Sequence, residues 1–239
     1  MPTLLVLGSK PDPVLPPAAE FDAVACANAS GYSADRHGLP VPALTAISAV
    51  MTSGIGSGKQ SLKALHGLRT GALYLVPQFD KQMKLRKKIR TLPITIKTSP
   101  EFFKFRLKQA GYRWSTFINR DTAFYQQMID TLCRHDSQIM ALVTEKKPST
   151  GVIALLIGMS LGRYDRFVMS GFSFELTHAY ADNPEIHQRG TTLSRHAPTD
   201  LQVLRHLVDL YGNLFTTELT VNEQAGVPLL ASVVATGDA

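Results

Sequence analysis

Residues 147–172 read KPSTGVIALLIGMSLGRYDRFVMSGF. Pro148-Ser149-Thr150-Gly151 opens a helix. Proline suits a helix start, and Ser149 or Thr150 can cap it by accepting a backbone N–H. The apolar run that follows carries the helix to about Leu161. Residues 166–170 return as a strand that ends at Gly171. Helix followed by a glycine-terminated apolar strand is the repeating unit of an α/β fold.

The same alternation runs outward in both directions. Toward the N-terminus, residues 4–7 form a short apolar run ending at Gly8, and residues 21–27 form a second, stopped at 28–31. Between them, residues 10–17 hold four prolines and form a loop. Residues 43–50 are strand or helix, residues 62–68 helix, and residues 72–76 a buried strand closed by Pro77. Residues 101–110 and 122–134 show helical spacing, and residues 138–143 are a strand candidate. Residues 177–198 are polar loop, residues 200–211 an amphipathic helix, and the tail after 218 is weakly structured or an edge strand. The pattern predicts one Rossmann-like, mostly parallel sheet flanked by helices, with residues 1–239 as a single α/β domain. Ligands on such sheets bind at the carboxyl ends of the strands. Gly8-Ser9, Asn28 and Gly171-Phe172 then share a rim, with the 149–151 helix start facing it.

Composition narrows the class. Apolar residues make up 44% and charged residues 18%, which is globular rather than disordered. No apolar run is long enough to span a membrane, and residues 1–9 lack the basic start and cleavage site of a secretory signal. Cys26 and Cys133 suit neither a disulfide framework nor a metal site, so a reducing cytoplasm is expected. The net charge of +6 concentrates between Lys81 and Arg90, in KQMKLRKKIR. That run is either a solvated face or loop, or a patch that sits on anionic lipid at the inner membrane surface or receives a phosphate-bearing acceptor. Without an accompanying nucleic-acid motif, no nucleic-acid partner is expected.

Gly54-Ile55-Gly56-Ser57-Gly58-Lys59-Gln60 resembles a phosphate-binding P-loop, but Gln60 stands where the Mg²⁺-binding hydroxyl belongs and Ser53 where the first glycine belongs. Nucleoside triphosphate hydrolysis is not expected. The 149–151 helix start, with free N–H groups and two hydroxyls, suits a phosphate, a ribose or a base edge.

After this helix come Gly171-Phe172, then His178-Ala179-Tyr180, then His196 with Asp200. In this order the chain resembles the sialyltransferases. In that family Pro-Ser-Thr-Gly begins the small sialylmotif, a strand ending in Gly-Phe follows, and a His-Tyr motif and a late His with an acid come next. Gly8-Ser9-Lys10 and residues 22–28 match the large sialylmotif more loosely: its first Asn is missing, and the acid lies four residues beyond the late His instead of five. The Gly-Ser-Lys-Pro turn is also similar to bacterial Kdo transferases, which use CMP-sugars too.

The resemblance implies a sialyltransferase-like variant of the GT-A fold. It implies a glycosyltransferase that moves an acidic keto-sugar, sialic acid or Kdo, from its CMP donor to a saccharide acceptor, lipid-linked if the basic run meets a membrane. His196 would be the base, Asp200 would orient it or cap the helix, and His178 would serve the departing phosphate, with His187 as a competitor. Gly8, Ser9 and Asn28 would contact phosphate and ribose. Ser149, Thr150 and Gly151 would hold cytidine or the sugar carboxylate, and Phe172 would pack on the base or belong to the core. Retaining Kdo enzymes are expected to carry an Asp nucleophile where Asn28 stands, so an inverting displacement is implied. No Asp-x-Asp motif occurs, and neither metal nor cofactor is expected. The contrasting reading is a non-catalytic nucleotide- or nucleic-acid-binding module.

Overall fold

The structure is a computed structural model that describes residues 1–53, 58–78, 96–176, 178 and 192–234. Seven strands form one parallel sheet: β1 (Thr3–Leu7), β2 (Ala23–Ala27), β3 (Leu44–Ser48), β4 (Arg69–Val76), β5 (Arg113–Asn119), β6 (Arg166–Ser170) and β7 (Leu214–Thr216). Their order is β5-β4-β3-β2-β1-β6-β7. The helices are α1 (Gly31–Arg36), α2 (Gly58–Ala64), α3 (Pro100–Gln109), α4 (Thr122–Leu132), α5 (Ser137–Glu145), α6 (Thr150–Ser160), α7 (Ala197–Leu210), α8 (Leu219–Ala225) and α9 (Ala231–Val234).

The central strands are short continuous apolar runs because both of their faces are covered. Leu4 and Val6 of β1 point into a core shared with α4 to α8, whereas Leu5 and Leu7 point into a core with Phe21, Ala34 of α1 and Leu230. A third cluster seats α2 and α3 against Ile47, Leu73 and Leu75. Helix α6 is apolar all round and packs across β1, β2, β3 and β6. Gly158 permits that approach: a Cβ there would lie 2.4 Å from Leu4 Cδ2.

Several expectations change. Residues 138–143 are not a strand but part of α5. Asp136 caps it, accepting from Gln138 N–H at 2.8 Å and Ile139 N–H at 2.9 Å. Of its apolar run only Ile139 and Val143 are buried, a spacing that places them on one helix face. Residues 43–50 resolve as strand β3 followed by a 3-10 turn. Beyond residue 218 the chain forms α8 and α9 instead of an edge strand. Gly226, at φ 71°, closes α8, and Leu229 makes only an isolated bridge to Thr216. Strands β5 and β7, both edges of the sheet, and helix α1 had no clear sequence signal.

Cys26 and Cys133 are unpaired and buried, and burial pushes both thiols up to about 12. Among the described residues no helix is long and apolar enough to cross a membrane, and no cluster of His, Cys, Asp and Glu could hold a metal ion. The basic run from Lys81 to Arg90 lies outside the described residues, as do residues 54–57 of the glycine-rich loop, Tyr180 and His187.

Candidate active site

The chain lays down β2 to β5 on one side of β1, then returns to place β6 and β7 on the other. This puts the switch in strand order between β1 and β6, and a crevice lies over it at the carboxyl ends of the strands. The first strand's turn is zipped to the sixth's: Gly8 N–H donates to Ser170 O at 2.8 Å and Lys10 N–H to Gly171 O at 2.9 Å. The backbones are so close that a Cβ on Gly8 would lie 2.2 Å from Gly171 O. Gly171 itself sits at φ 71°. Both glycines are thus required by the local geometry. The crevice encloses about 410 Å³, and ten of the residues singled out from the sequence line it: Gly8, Ser9, Asn28, Ser149, Thr150, Gly151, Phe172, His178, His196 and Asp200.

The amino terminus of α6 forms one wall. Ser149 is the cap: its Oγ accepts from Val152 N–H at 3.4 Å. Its own N–H donates to Asp200 Oδ1 at 2.7 Å. Thr150 is buried behind it. Phe172 is 7% exposed, and its ring edge abuts the helix start: a Cβ on Gly151 would meet Phe172 Cε1 at 2.6 Å. The ring therefore belongs largely to the core while one side borders the crevice.

Asn28 follows β2 in the left-handed region, at φ 52°, which Asn tolerates better than most residues. Its Oδ1 accepts from Ser48 N–H at 3.0 Å. This fixes the amide so that Nδ2 is left to donate to a ligand oxygen.

The two histidines arrive from distant segments. Ser9 Oγ and His178 Nδ1 are 3.0 Å apart although 169 positions separate them in sequence. Next to His178, residues 174–176 and 192–194 pair: Leu176 N–H donates to Thr192 O at 2.7 Å and Ser194 N–H to Phe174 O at 2.9 Å. The chain then turns at His196 into α7. His196 Nδ1 lies 2.8 Å from Lys147 O, so that nitrogen carries the proton and Nε2 is left with its lone pair. Burial lowers the His196 pKa, opposed by the Lys147 carbonyl and reinforced by the charges of Lys146, Lys147 and Arg195. The imidazole is therefore neutral near pH 7.

Asp200 does not hold this imidazole. Its carboxyl turns to Ser149, and only its backbone N–H, a helical bond at 2.9 Å, meets His196 O. The orienting group is the Lys147 carbonyl. Asp200 is fully buried between the starts of α6 and α7. Burial raises its pKa to about 7, against the lowering effect of the Ser149 N–H and hydroxyl.

Three nearby features escaped the sequence reading. Ser48 supplies the N–H that orients Asn28. Lys147, whose side chain donates to Pro77 O at 2.9 Å, has its amine lowered to about 8 by burial first and by Lys146 second. Glu218 is buried and pairs with Lys10. None of these contacts shows in a local motif, since each is made to a partner far away in the chain.

No protein-family model matches the chain, and no curated protein matches it. Solved structures do. The sialyltransferase CstII from Campylobacter jejuni in complex with cytidine-5'-monophosphate aligns at TM-score 0.54 and 12% identity, over 98% of this chain and 86% of that one. CstII in complex with a trisaccharide acceptor and CMP aligns at TM-score 0.53 and 14% identity, over 97% and 87%. The monofunctional alpha-2,3-sialyltransferase Cst-I from Campylobacter jejuni gives TM-score 0.53 and 13% identity, over 98% and 82%. At these identities the likeness is one of fold, and it runs nearly the whole length of the chain. The single parallel sheet with its flanking helices is the sialyltransferase-type architecture.

Proposed function

We propose that this protein is an inverting glycosyltransferase that moves sialic acid from CMP-sialic acid to a saccharide acceptor. The observation that carries the reading is His196: an imidazole at the rim of a crevice, neutral, with Nδ1 committed to Lys147 O and Nε2 left basic. Its neighbours supply what a CMP-sugar needs. The amino-terminal end of α6, at Thr150 and Gly151, favours anions, and the Asn28 amide can donate to a ribose or phosphate oxygen.

In the proposed reaction the acceptor hydroxyl gives its proton to His196 Nε2. Its oxygen bonds to the anomeric carbon as the bond from that carbon to the phosphate oxygen breaks. The electron pair leaves with CMP. His178, steadied by Ser9, donates to the departing phosphate. Attack from the face opposite the leaving group inverts the centre, and Asn28, an amide where a carboxylate nucleophile would stand, fits that course. Residues 81–90 would hold the protein beside anionic lipid, where a lipid-linked acceptor could be presented.

The test is CMP release from CMP-sialic acid with and without saccharide acceptors, run beside CMP-Kdo. Acceptor-dependent release from CMP-sialic acid is expected. Release from CMP-Kdo alone would move the protein to the Kdo enzymes, and release from neither donor would overturn the proposal.

A further inference from the structure

Glu218 lies far from the crevice in sequence, at the start of α8, yet it reaches directly beneath the turn after β1. It is 1% exposed. Its Oε1 accepts from Val14 N–H at 3.0 Å and from Gly171 N–H at 2.8 Å, and its Oε2 pairs with the Lys10 ammonium. One carboxylate thus gathers the loop after β1, the turn after β6 and the side chain of Lys10. Lys10 is one-third exposed and lines the crevice beside Gly8 and Ser9. Among the described residues lining that crevice, the lysine and arginine side chains are Lys10, Lys146 and Arg195. Of the three, Lys10 is the one seated on a buried carboxylate.

Two consequences follow from this arrangement. An ammonium has three N–H donors, so the bond to Glu218 leaves two for a ligand. A lysine stem is flexible, and fixing it in advance removes part of the entropy that a ligand would otherwise have to offset. The carboxylate, conversely, would repel any anion above it if Lys10 did not cover it.

We propose that Lys10 is a specificity-determining contact to the phosphate of the nucleotide, and that Glu218 is the positioning residue that holds it there. The inference rests on the CMP-sugar reading above, but it can fail alone.

The experiment is calorimetric binding of CMP and of cytidine to the native protein and to the variants Lys10→Met, Lys10→Arg and Lys10→Met/Glu218→Gln. Charged hydrogen bonds of this kind correspond to roughly a tenfold to hundredfold change in affinity. Lys10→Met should weaken CMP by that factor and leave cytidine unchanged, a selectivity that general structural damage would not produce. The double variant should bind CMP better than Lys10→Met, because no bare carboxylate remains below the phosphate. Lys10→Arg should recover most of the affinity. Should Lys10→Met not fold, the double variant, which leaves no unpaired buried charge, carries the same comparison of CMP with cytidine. Native-like CMP binding by Lys10→Met, or equal loss of CMP and cytidine, overturns the inference while leaving the CMP reading intact. A native protein that binds neither ligand overturns both.

Discussion

His196 shows how a single side chain is prepared by its surroundings. The Lys147 carbonyl selects the tautomer, and burial among Lys146, Lys147 and Arg195 holds off protonation. A base with a lowered pKa stays active on the acid side of neutrality. The acid limb of the kcat/KM profile is therefore expected below the ordinary histidine value of about 6.5. Rate is lost as pH falls through that lowered value, and a limb above it would contradict the assignment. His196→Ala should cost on the order of a hundredfold to ten-thousandfold in transfer, while CMP-sugar binding persists, because the proposed role of this base is toward the acceptor hydroxyl. His178→Ala should instead slow the release of CMP even when water is the acceptor. Transfer and donor hydrolysis, measured separately with circular dichroism as a folding control, distinguish the two roles. The glycines separate in a similar way. A Cβ on Gly8 meets a backbone oxygen at 2.2 Å, whereas one on Gly151 meets the Phe172 ring at 2.6 Å, at the border of the crevice. Gly8→Ala should lower Tm more than Gly151→Ala, while Gly151→Ala should weaken CMP binding.

At the scale of elements, the crevice depends on two helix starts being held together. The amino termini of α6 and α7 both carry positive partial charge, and Asp200 lies between them. Its burial has a consequence for stability. Burial moves the carboxyl up to about 7 in the folded chain, from the ordinary aspartate value of about 3.8 that it has when unfolded. Between those values the folded state binds more protons, so this group's contribution to stability is full below about 3.8 and is lost as pH rises toward 7. Asp200→Asn keeps an acceptor for the Ser149 N–H but cannot ionise. Melting temperatures measured from pH 4 to pH 8 should show the variant gaining on the native protein as pH rises. A constant difference across that range would mean that Asp200 does not titrate there. Elements also differ in how openly the sequence declares them. Strands β1, β2 and β6 are buried on both faces and read as apolar runs. Strand β5 is an edge with mixed exposure, Arg113-Trp114-Ser115-Thr116-Phe117-Ile118-Asn119, so neither alternation nor a continuous apolar run reveals it. Helix α5 carries an unbroken apolar run of five residues, 139–143, which imitates a strand. Asp136, an acid just before the run, was the sign of a helix cap.

Across the whole molecule, one crevice collects residues from position 8 to position 200, and its anchors extend to position 218. The sequence made the rim legible because each of its parts ends a strand or begins a helix, where glycine, serine and asparagine have local reasons to occur. It did not make the partners legible. The pairing of Lys10 with Glu218 spans 208 positions, and the contact of His196 with the Lys147 carbonyl spans 49 with no side chain on one side of it. Such contacts depend on how β1, β6 and β7 are brought side by side, and nothing in a local pattern encodes that. Because the crevice is assembled from so many separate segments, a ligand that fills it ties them together and should stabilise the whole fold. A ligand at a hundred times its Kd contributes about 2.7 kcal/mol, and a chain of this length melts ~2–4 °C higher per kcal/mol. Saturating CMP is therefore expected to raise Tm by roughly 5–10 °C. The shift should be smaller for AMP, GMP and UDP, since the turn after β1 and the start of α6 are read as a site for one phosphate and a cytosine. Thermal melts at matched ligand concentrations decide the matter. A larger shift with UDP or AMP than with CMP would remove the nucleotide assignment on which the proposed transfer depends.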